Sequence, residues 1–269
     1  MYSRLELQHH LIGLVLDNKL FLAPLKNPKR ILDQGTGTGT WSMDFNADNI
    51  CNVVIGTDLS NIQPTMIPQN CFFEIDDVNL PWIHEADSVD FVFSRFGNGF
   101  SKRNWDHYLS ESFNCLVPGG WAEIQDMDFA ACSDEDSVPQ DSAIVDWHRL
   151  ICEGASDMNI NMRMSPVALK AQFENAGFTN VQVVNKKIPI GPWAYDQKLK
   201  EIGSVQLMNF LDGLEAFSLA IFCRSLRWSA VEIQVFLAQV RQDAKSHQTF
   251  HRYWNFFVVY GQKPVNERV

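Results

Sequence analysis

Asp33, Gly35, Gly37 and Gly39 lie in Arg30-Ile31-Leu32-Asp33-Gln34-Gly35-Thr36-Gly37-Thr38-Gly39-Thr40-Trp41, where a short apolar run breaks into alternating glycines and then resumes a helical pattern. That order reads as strand, tight turn and helix start. Glycine permits positive φ and lets a ligand approach the backbone with no Cβ in the way. The first amides of the following helix form an anion site. A dinucleotide fingerprint needs G-x-G-x-x-G. Counting from Gly35 puts Thr40 at the third glycine, and counting from Gly37 puts Ser42 there. No Gly-Lys-Ser/Thr follows, so a nucleotide-triphosphate loop fails as well. Asp33, two residues before the first glycine, would repel a pyrophosphate but suits a ligand carrying an ammonium and a sulfonium. An ordinary strand-to-helix turn is the alternative reading of the glycines alone.

More acids follow at the ends of later apolar runs. Asp58 closes Asn52-Val53-Val54-Ile55-Gly56-Thr57, 19 residues beyond Gly39. An acid at the end of a second strand is placed to accept hydrogen bonds from both ribose hydroxyls of a nucleoside. The alternative is a helix N-cap, because Asp58-Leu59-Ser60 opens a short helical pattern. Asp76 and Asp77 follow Cys71 to Ile75, and two adjacent carboxylates also suit a solvated loop. On the reacting side, Gln125, Asp126 and Asp128 lie past a fifth strand, Arg95 past a fourth, and His148 on the helix beyond. Gln125, Asp128 and His148 are the catalytic candidates, with His148 as base where the acceptor must lose a proton. Trp147 and Ile151 give that helix a core face, so a core histidine is the competing reading.

The elements that position these groups alternate. Strands are expected at 52–58, 71–75, 88–93 and 121–125 after the first, which runs into the glycine turn, with helices at 41–48 and 104–116, the latter ended by Pro118-Gly119-Gly120. Further strands near 181–188 and 253–260 complete an α/β fold, a doubly wound, mostly parallel, seven-stranded Rossmann-like sheet. Residues 1–30 form an N-terminal helix and lead-in, 31–188 with 252–264 the core, and 189–251 a helical insertion. Leu199 to Leu226 and Ser229 to Val240 are apolar helical patterns within it, too long for a plain connection. The insertion is the expected substrate lid, or a surface for a protein partner or a second copy. Asp134 to Asp141 reads as a solvated acidic connection.

A chain of 269 residues with 46% hydrophobic and 20% charged residues has ample length for a full core. Net charge of −10 and a pI near 5.1 argue against a general nucleic-acid binder. The six cysteines show no C-x-x-C pair and no histidine at metal spacing, so free thiols and no metal are expected. The apolar run Leu11 to Leu16 is too short to span a bilayer and lacks a basic leader, so no membrane is expected and the compartment is the cytoplasm or the nucleus.

From about Leu5 to Pro264 the sequence resembles the fungal LaeA-like family of class I S-adenosylmethionine (SAM) dependent methyltransferases. The match rests on Leu7-Gln8-His9-His10, Leu32-Asp33 through Thr40-Trp41, Ile55 to Ser60 with Ile62-Gln63-Pro64, Phe73 to Asp77 with Pro81-Trp82, and Pro118-Gly119-Gly120-Trp121. The resemblance implies SAM as cofactor, contacted by Asp33, Gly35, Gly37, Gly39 and Asp58. It further implies adenine contacts at Asp77 first and Asp76 second with the neighbouring Val78, and more loosely a role for Ser94. Two departures stand out. Gln34 replaces an aliphatic residue beside the turn. Relatives usually carry a further Tyr-rich N-terminal segment that helps cover the cofactor, so a more open pocket is expected here. The functions implied are methyl transfer to a small-molecule secondary metabolite, a cyclisation or pericyclic step on the same scaffold, or regulation of secondary metabolism through a protein partner.

Overall fold

The computed structural model describes residues 4–48, 51–97, 105–133, 142–246 and 251–265. The acidic connection expected at 134–141 lies outside them. The element order is α1 (Arg4–Val15), β1 (Arg30–Gln34), α2 (Thr40–Asp48), β2 (Val53–Asp58), β3 (Cys71–Ile75), β4 (Val89–Arg95), α3 (Trp105–Cys115), β5 (Leu116–Ser133), α4 (Ala143–Asp157), α5 (Pro166–Asn175), β6 (Thr179–Pro189), α6 (Gln197–Ile221), α7 (Ala230–Lys245) and β7 (Arg252–Gln262). The seven strands form one sheet in the order β3-β2-β1-β4-β5-β7-β6. β1 pairs in parallel with β2 and β4, β2 with β3, and β4 with β5. β1, β2 and β4 are short, nearly continuous apolar runs because both of their faces are buried. From β1 the chain proceeds through β2 to β3 at one edge and returns to β4 on the other side of β1. Such a reversal opens a crevice at the carboxyl ends of the two central strands.

Two connections depart from the expected alternation. Residues 59–70 and 76–88 contain no helix, so the short helix anticipated after Asp58 does not form. Pro64 and Pro68 lie within the first of these segments, where each removes a backbone donor and disfavours a helical residue before it. Pro118-Gly119-Gly120 likewise does not simply end α3; it is the start of β5. Gly119 takes φ of +88° and its N–H donates to the Lys263 carbonyl at 2.9 Å, while Lys263 N–H donates to the Gly120 carbonyl at 2.9 Å. A Cβ on Gly120 would lie 2.9 Å from the Val117 carbonyl oxygen and 3.0 Å from that of Asp90, so only glycine fits this shift in register.

The chain divides into two compact units. A helical unit comprises Met1–Asn18, Met127–Met164 and Lys186–Phe256, and a sheet unit Lys19–Asp126, Ser165–Asn185 and Phe257–Val269. In the sheet unit Ile31, Trp41, Phe45, Val54, Phe91 and Phe93 form the core, with Trp41 stacked on Phe93 at 3.8 Å between ring centroids. In the helical unit α6 packs on α1 and α7 and buries Ile202, Val205, Phe210, Leu214 and Ile221. By length and composition α6, with the π-helical turn Phe222–Leu226 that extends it, could cross a membrane; half of its most apolar 18-residue window is buried within the protein, as in the core helix of a soluble protein. Asp196 caps α6, and Ser229 with Glu232 forms a reciprocal capping box on α7.

Candidate cofactor and reaction site

At the glycine turn Gly35, Gly37 and Gly39 have φ of +80°, +58° and +78°, all in the left-handed region. A Cβ on Gly39 would approach Phe73 Cζ to 2.3 Å, so both backbone and space demand glycine there. The turn is fastened to the end of β2: the N–H groups of Gly35 and Thr36 donate to the Thr57 carbonyl at 2.8 and 2.9 Å. Asp33, 2% exposed, accepts hydrogen bonds on Oδ2 from the hydroxyls of Thr36 and Ser42, each at 2.7 Å. Burial pushes its carboxyl up to about 6; the two hydroxyls and the Arg95 charge oppose the rise and Asp58 adds to it. Gln34 is fully buried, with Oε1 accepting from the Thr57 hydroxyl and Nε2 without a partner among the described residues.

Asp58 accepts the Gly37 N–H on Oδ2 and the Ser60 N–H on Oδ1, both at 2.9 Å. With no helix following it, the helix-cap alternative has nothing to cap. Asp76 accepts the Asp77 N–H on Oδ1 at 2.9 Å, whereas its buried Oδ2 has no partner among the described residues. Asp77 accepts from Asn79 N and Nδ2 on Oδ1, at 2.9 and 2.8 Å, which shapes the loop after β3. Val78 is half-buried and its carbonyl accepts from Trp82 Nε1 at 3.2 Å. Ser94 is fully buried near the end of β4. The structure thus places Asp33 with the glycines, Asp58, Asp76 to Val78 and Ser94 at the carboxyl ends of four adjacent strands.

The reaction-side candidates fall in different units. Gln125, in the sheet unit, is fully buried: Nε2 donates to the Leu20 carbonyl at 3.0 Å and to Glu123 Oε1 at 2.7 Å, and Oε1 accepts from Arg95 Nε at 2.8 Å. The Leu20 carbonyl also accepts from Trp41 Nε1 at 3.0 Å and Arg95 Nη2 at 3.2 Å. Glu123 completes this clasp by accepting the N–H groups of Leu22 and Ala23 on Oε2, at 2.8 and 2.7 Å. Burial pushes its carboxyl up to about 7 and brings the Arg95 guanidinium down to about 10, with Asp33 and Glu123 holding the latter up. The sequence reading missed Glu123; its signal is an acid inside the apolar strand Trp121-Ala122-Glu123-Ile124.

Asp128, in the helical unit, accepts from Arg163 Nε at 2.9 Å in an ion pair. His148, in the same unit, is buried with both nitrogens engaged. Nδ1 donates to the Ile144 carbonyl at 2.7 Å, which fixes the tautomer, and Nε2 accepts from Trp254 Nε1 at 2.8 Å. Burial lowers its pKa to about 4, and the Arg252 charge acts in the same direction. Both nitrogens are engaged within the buried aromatic surroundings of Trp147, Phe210 and Trp254, the setting of a core histidine, which is one of the two readings the sequence offers. Among the described residues no group of three or more His, Cys, Asp or Glu is placed to hold a metal ion.

An adenosyl cation with an amino-acid tail fits the residues around the glycine turn. The turn offers close backbone approach, Asp33 and Asp58 supply negative charge, and the unpartnered Asp76 Oδ2 is an acceptor in want of a donor. An open sheet of this strand order, with an acid and three left-handed glycines at its switch point, defines a class I SAM-dependent methyltransferase. The chain belongs to the methyltransferase domain family, whose model matches residues 7–183. It is 36% identical to methyltransferase pytC of Aspergillus terreus, covering 97% of this chain and 80% of that protein. It is 30% identical to secondary metabolism regulator laeA of Fusarium oxysporum, covering 97% of this chain and 84% of that one. Among solved structures it resembles phosphoethanolamine N-methyltransferase 2 of Haemonchus contortus in complex with SAM, with TM-score 0.55 and 19% identity over 95% of this chain and 52% of the other. At that identity the likeness concerns the fold.

Proposed function

We propose that the protein transfers the methyl group of SAM to a small-molecule acceptor in secondary metabolism. The observation that carries this reading is the 36% identity to a methyltransferase along nearly the whole chain, above the 30% to a regulator. When bound, SAM would supply an electrophilic methyl carbon on its sulfonium, with neutral S-adenosylhomocysteine as the leaving group. The residues of this chain bind and align: the glycine turn gives close approach, Asp58, Asp76 and Asp77 offer acceptors, and Asp33 balances cationic charge. Alignment alone lowers the barrier by several kcal/mol, on the order of 7 or more where the geometry is near attack. The internal bonding of Gln125 and His148 favours such positioning over proton abstraction by either side chain.

For the acceptor we read an apolar, ring-bearing molecule on the aromatic richness of the insertion, which carries Trp193, Phe210 and Phe217. The family model ends at residue 183, so α6 and α7 lie beyond it, as suits elements that distinguish one substrate from another. All six cysteines are free thiols, consistent with the reducing cytoplasm or nucleus. The second reading, regulation through a partner, is favoured by the laeA relative.

The test is incubation of the purified chain with SAM and a fungal metabolite extract, read by S-adenosylhomocysteine release and by a product heavier by one methylene. Absence of heat or thermal shift with SAM overturns the cofactor assignment. SAM binding with a rearranged product of unchanged mass identifies cyclisation, and SAM binding with no product in any extract favours regulation.

A further inference from the structure

Residues 31–94 carry ten Asp and Glu and no Lys or Arg, so the whole formal net charge of −10 resides there and the remainder of the chain is balanced. With Arg30 and Arg95 at its two borders, which bring the sum to −8, this stretch builds β1, α2, β2, β3 and β4, the half of the sheet that ends at β3. β3 is the terminal strand, paired on one side with β2. A terminal strand presents backbone donors and acceptors along its open edge, and proteins blunt such edges with lysines, prolines or a covering helix. β3 itself, Cys71-Phe72-Phe73-Glu74-Ile75, has neither lysine nor proline, and the segments on either side of it form no helix. Instead Phe72 is 48% exposed, Ile75 66%, and Ile62, Met66 and Ile83 in the adjoining segments 54%, 89% and 74%. Exposed apolar residues scattered singly need no explanation, but these five, with Leu59 at 64% and Leu80 at 57%, make seven on one strand and its two connections, a concentration.

We propose that the β3 edge is a docking surface for a basic, apolar segment of a partner protein, which adds as an extra strand beside β3. Backbone pairing supplies affinity in this mode and alternate side chains supply specificity. Phe72 and Glu74 project to the same face, so they call for an apolar residue and a Lys or Arg at alternate positions of the incoming strand. The acidic field repels nucleic acid and anionic lipid. It also opposes a second copy of this chain, because a two-fold contact through the same edge brings two identical acidic surfaces together. This surface is independent of methyl transfer and of the helical segment outside the family model.

The experiment measures binding of short labelled peptides to the full chain by fluorescence anisotropy and maps it by amide hydrogen exchange. A peptide alternating Lys with Val is expected to bind, to weaken as salt is raised, and to protect the amides of Phe73 and Ile75, since the Cys71 N–H already donates to the Pro68 carbonyl and the Asp76 N–H to that of Asp58 on β2. Phe72→Ser and Glu74→Lys are each expected to weaken it about tenfold, while the thermal shift produced by SAM stays unchanged. Equal binding of a peptide alternating Lys with Ser reduces the effect to charge and overturns the proposal. Protection away from β3 overturns it as well, as does a dimer in light scattering that Glu74→Lys dissociates.

Discussion

Replacing Asp33 by Asn should weaken SAM binding and stabilise the protein at the same time. The carboxyl is raised from 3.8 to about 6, chiefly by burial. Below pH 3.8 both folded and unfolded chains hold the proton and the group contributes nothing. As pH rises through the window up to about 6 the unfolded chain ionises first, so stability falls, and the loss is complete above it. That loss amounts to about 3 kcal/mol at most. Asn keeps the shape, and the hydroxyls of Thr36 and Ser42 can still donate to its Oδ1. Arg95 retains Glu123 as a counter-charge. The variant should therefore melt about 5 °C higher at pH 7.5. Binding of a cationic ligand moves the other way. Ionised Asp33 favours the cation, so the wild-type Kd should fall as pH rises from 5 to 7 and then level, with a proton released in calorimetry at pH 5.5. In Asp33→Asn that pH dependence disappears, and affinity at pH 7.5 drops by about tenfold to a hundredfold, the worth of a hydrogen bond to a charged group. A wild-type Kd flat across this range, or a variant that melts lower, refutes the reasoning.

Asp58→Ala removes the acceptor of the Gly37 N–H and the proposed acceptor for ribose, and should weaken SAM binding by about 1–3 kcal/mol in titration calorimetry; unchanged affinity confines Asp58 to holding the loop. Gly39→Ala combines a left-handed φ with a 2.3 Å approach to Phe73 and should cost about 2–5 kcal/mol in denaturant unfolding, partly recovered by adding Phe73→Leu. His148→Phe leaves the Trp254 indole N–H without its acceptor and should cost about 1–3 kcal/mol. Turnover per folded molecule should persist in that variant; loss of kcat at unchanged stability restores His148 as a base.

The cofactor side of the molecule was legible because its signals are local. β1, β2 and β4 are apolar runs of strand length, and each ends in or near a polar residue that the crevice then collects. The glycine turn carries its own conformational requirement, written at Gly35, Gly37 and Gly39 and visible in their positive φ. Where contacts between distant residues decide the structure, the reading failed. Pro118-Gly119-Gly120 looks like a helix stop, and is one in isolation, but hydrogen bonds with Lys263 draw it into β5. For His148 the sequence leaves both a base and a core histidine open, and only Trp254, 106 residues away, shows that its second nitrogen is occupied. Glu123 passed unnoticed because an acid in a strand acquires meaning from the Leu22 and Ala23 amides, which lie 101 and 100 residues away.

That last contact has a consequence for synthesis. The segment Leu20 to Ala23 leads directly into the strand that carries the glycine turn, yet its amides and the Leu20 carbonyl are held by Glu123, Gln125 and Arg95. On the ribosome, the lead-in emerges about a hundred residues before its clasp. Contacts of such long sequence separation are slow to form because loop closure must precede their reward. The cofactor turn should accordingly remain unsupported until β5 has been translated. Nascent chains arrested before Glu123 should be cut by protease near Leu20, and chains arrested well past Gln125 should resist, so the cofactor arrives late in the life of the growing chain.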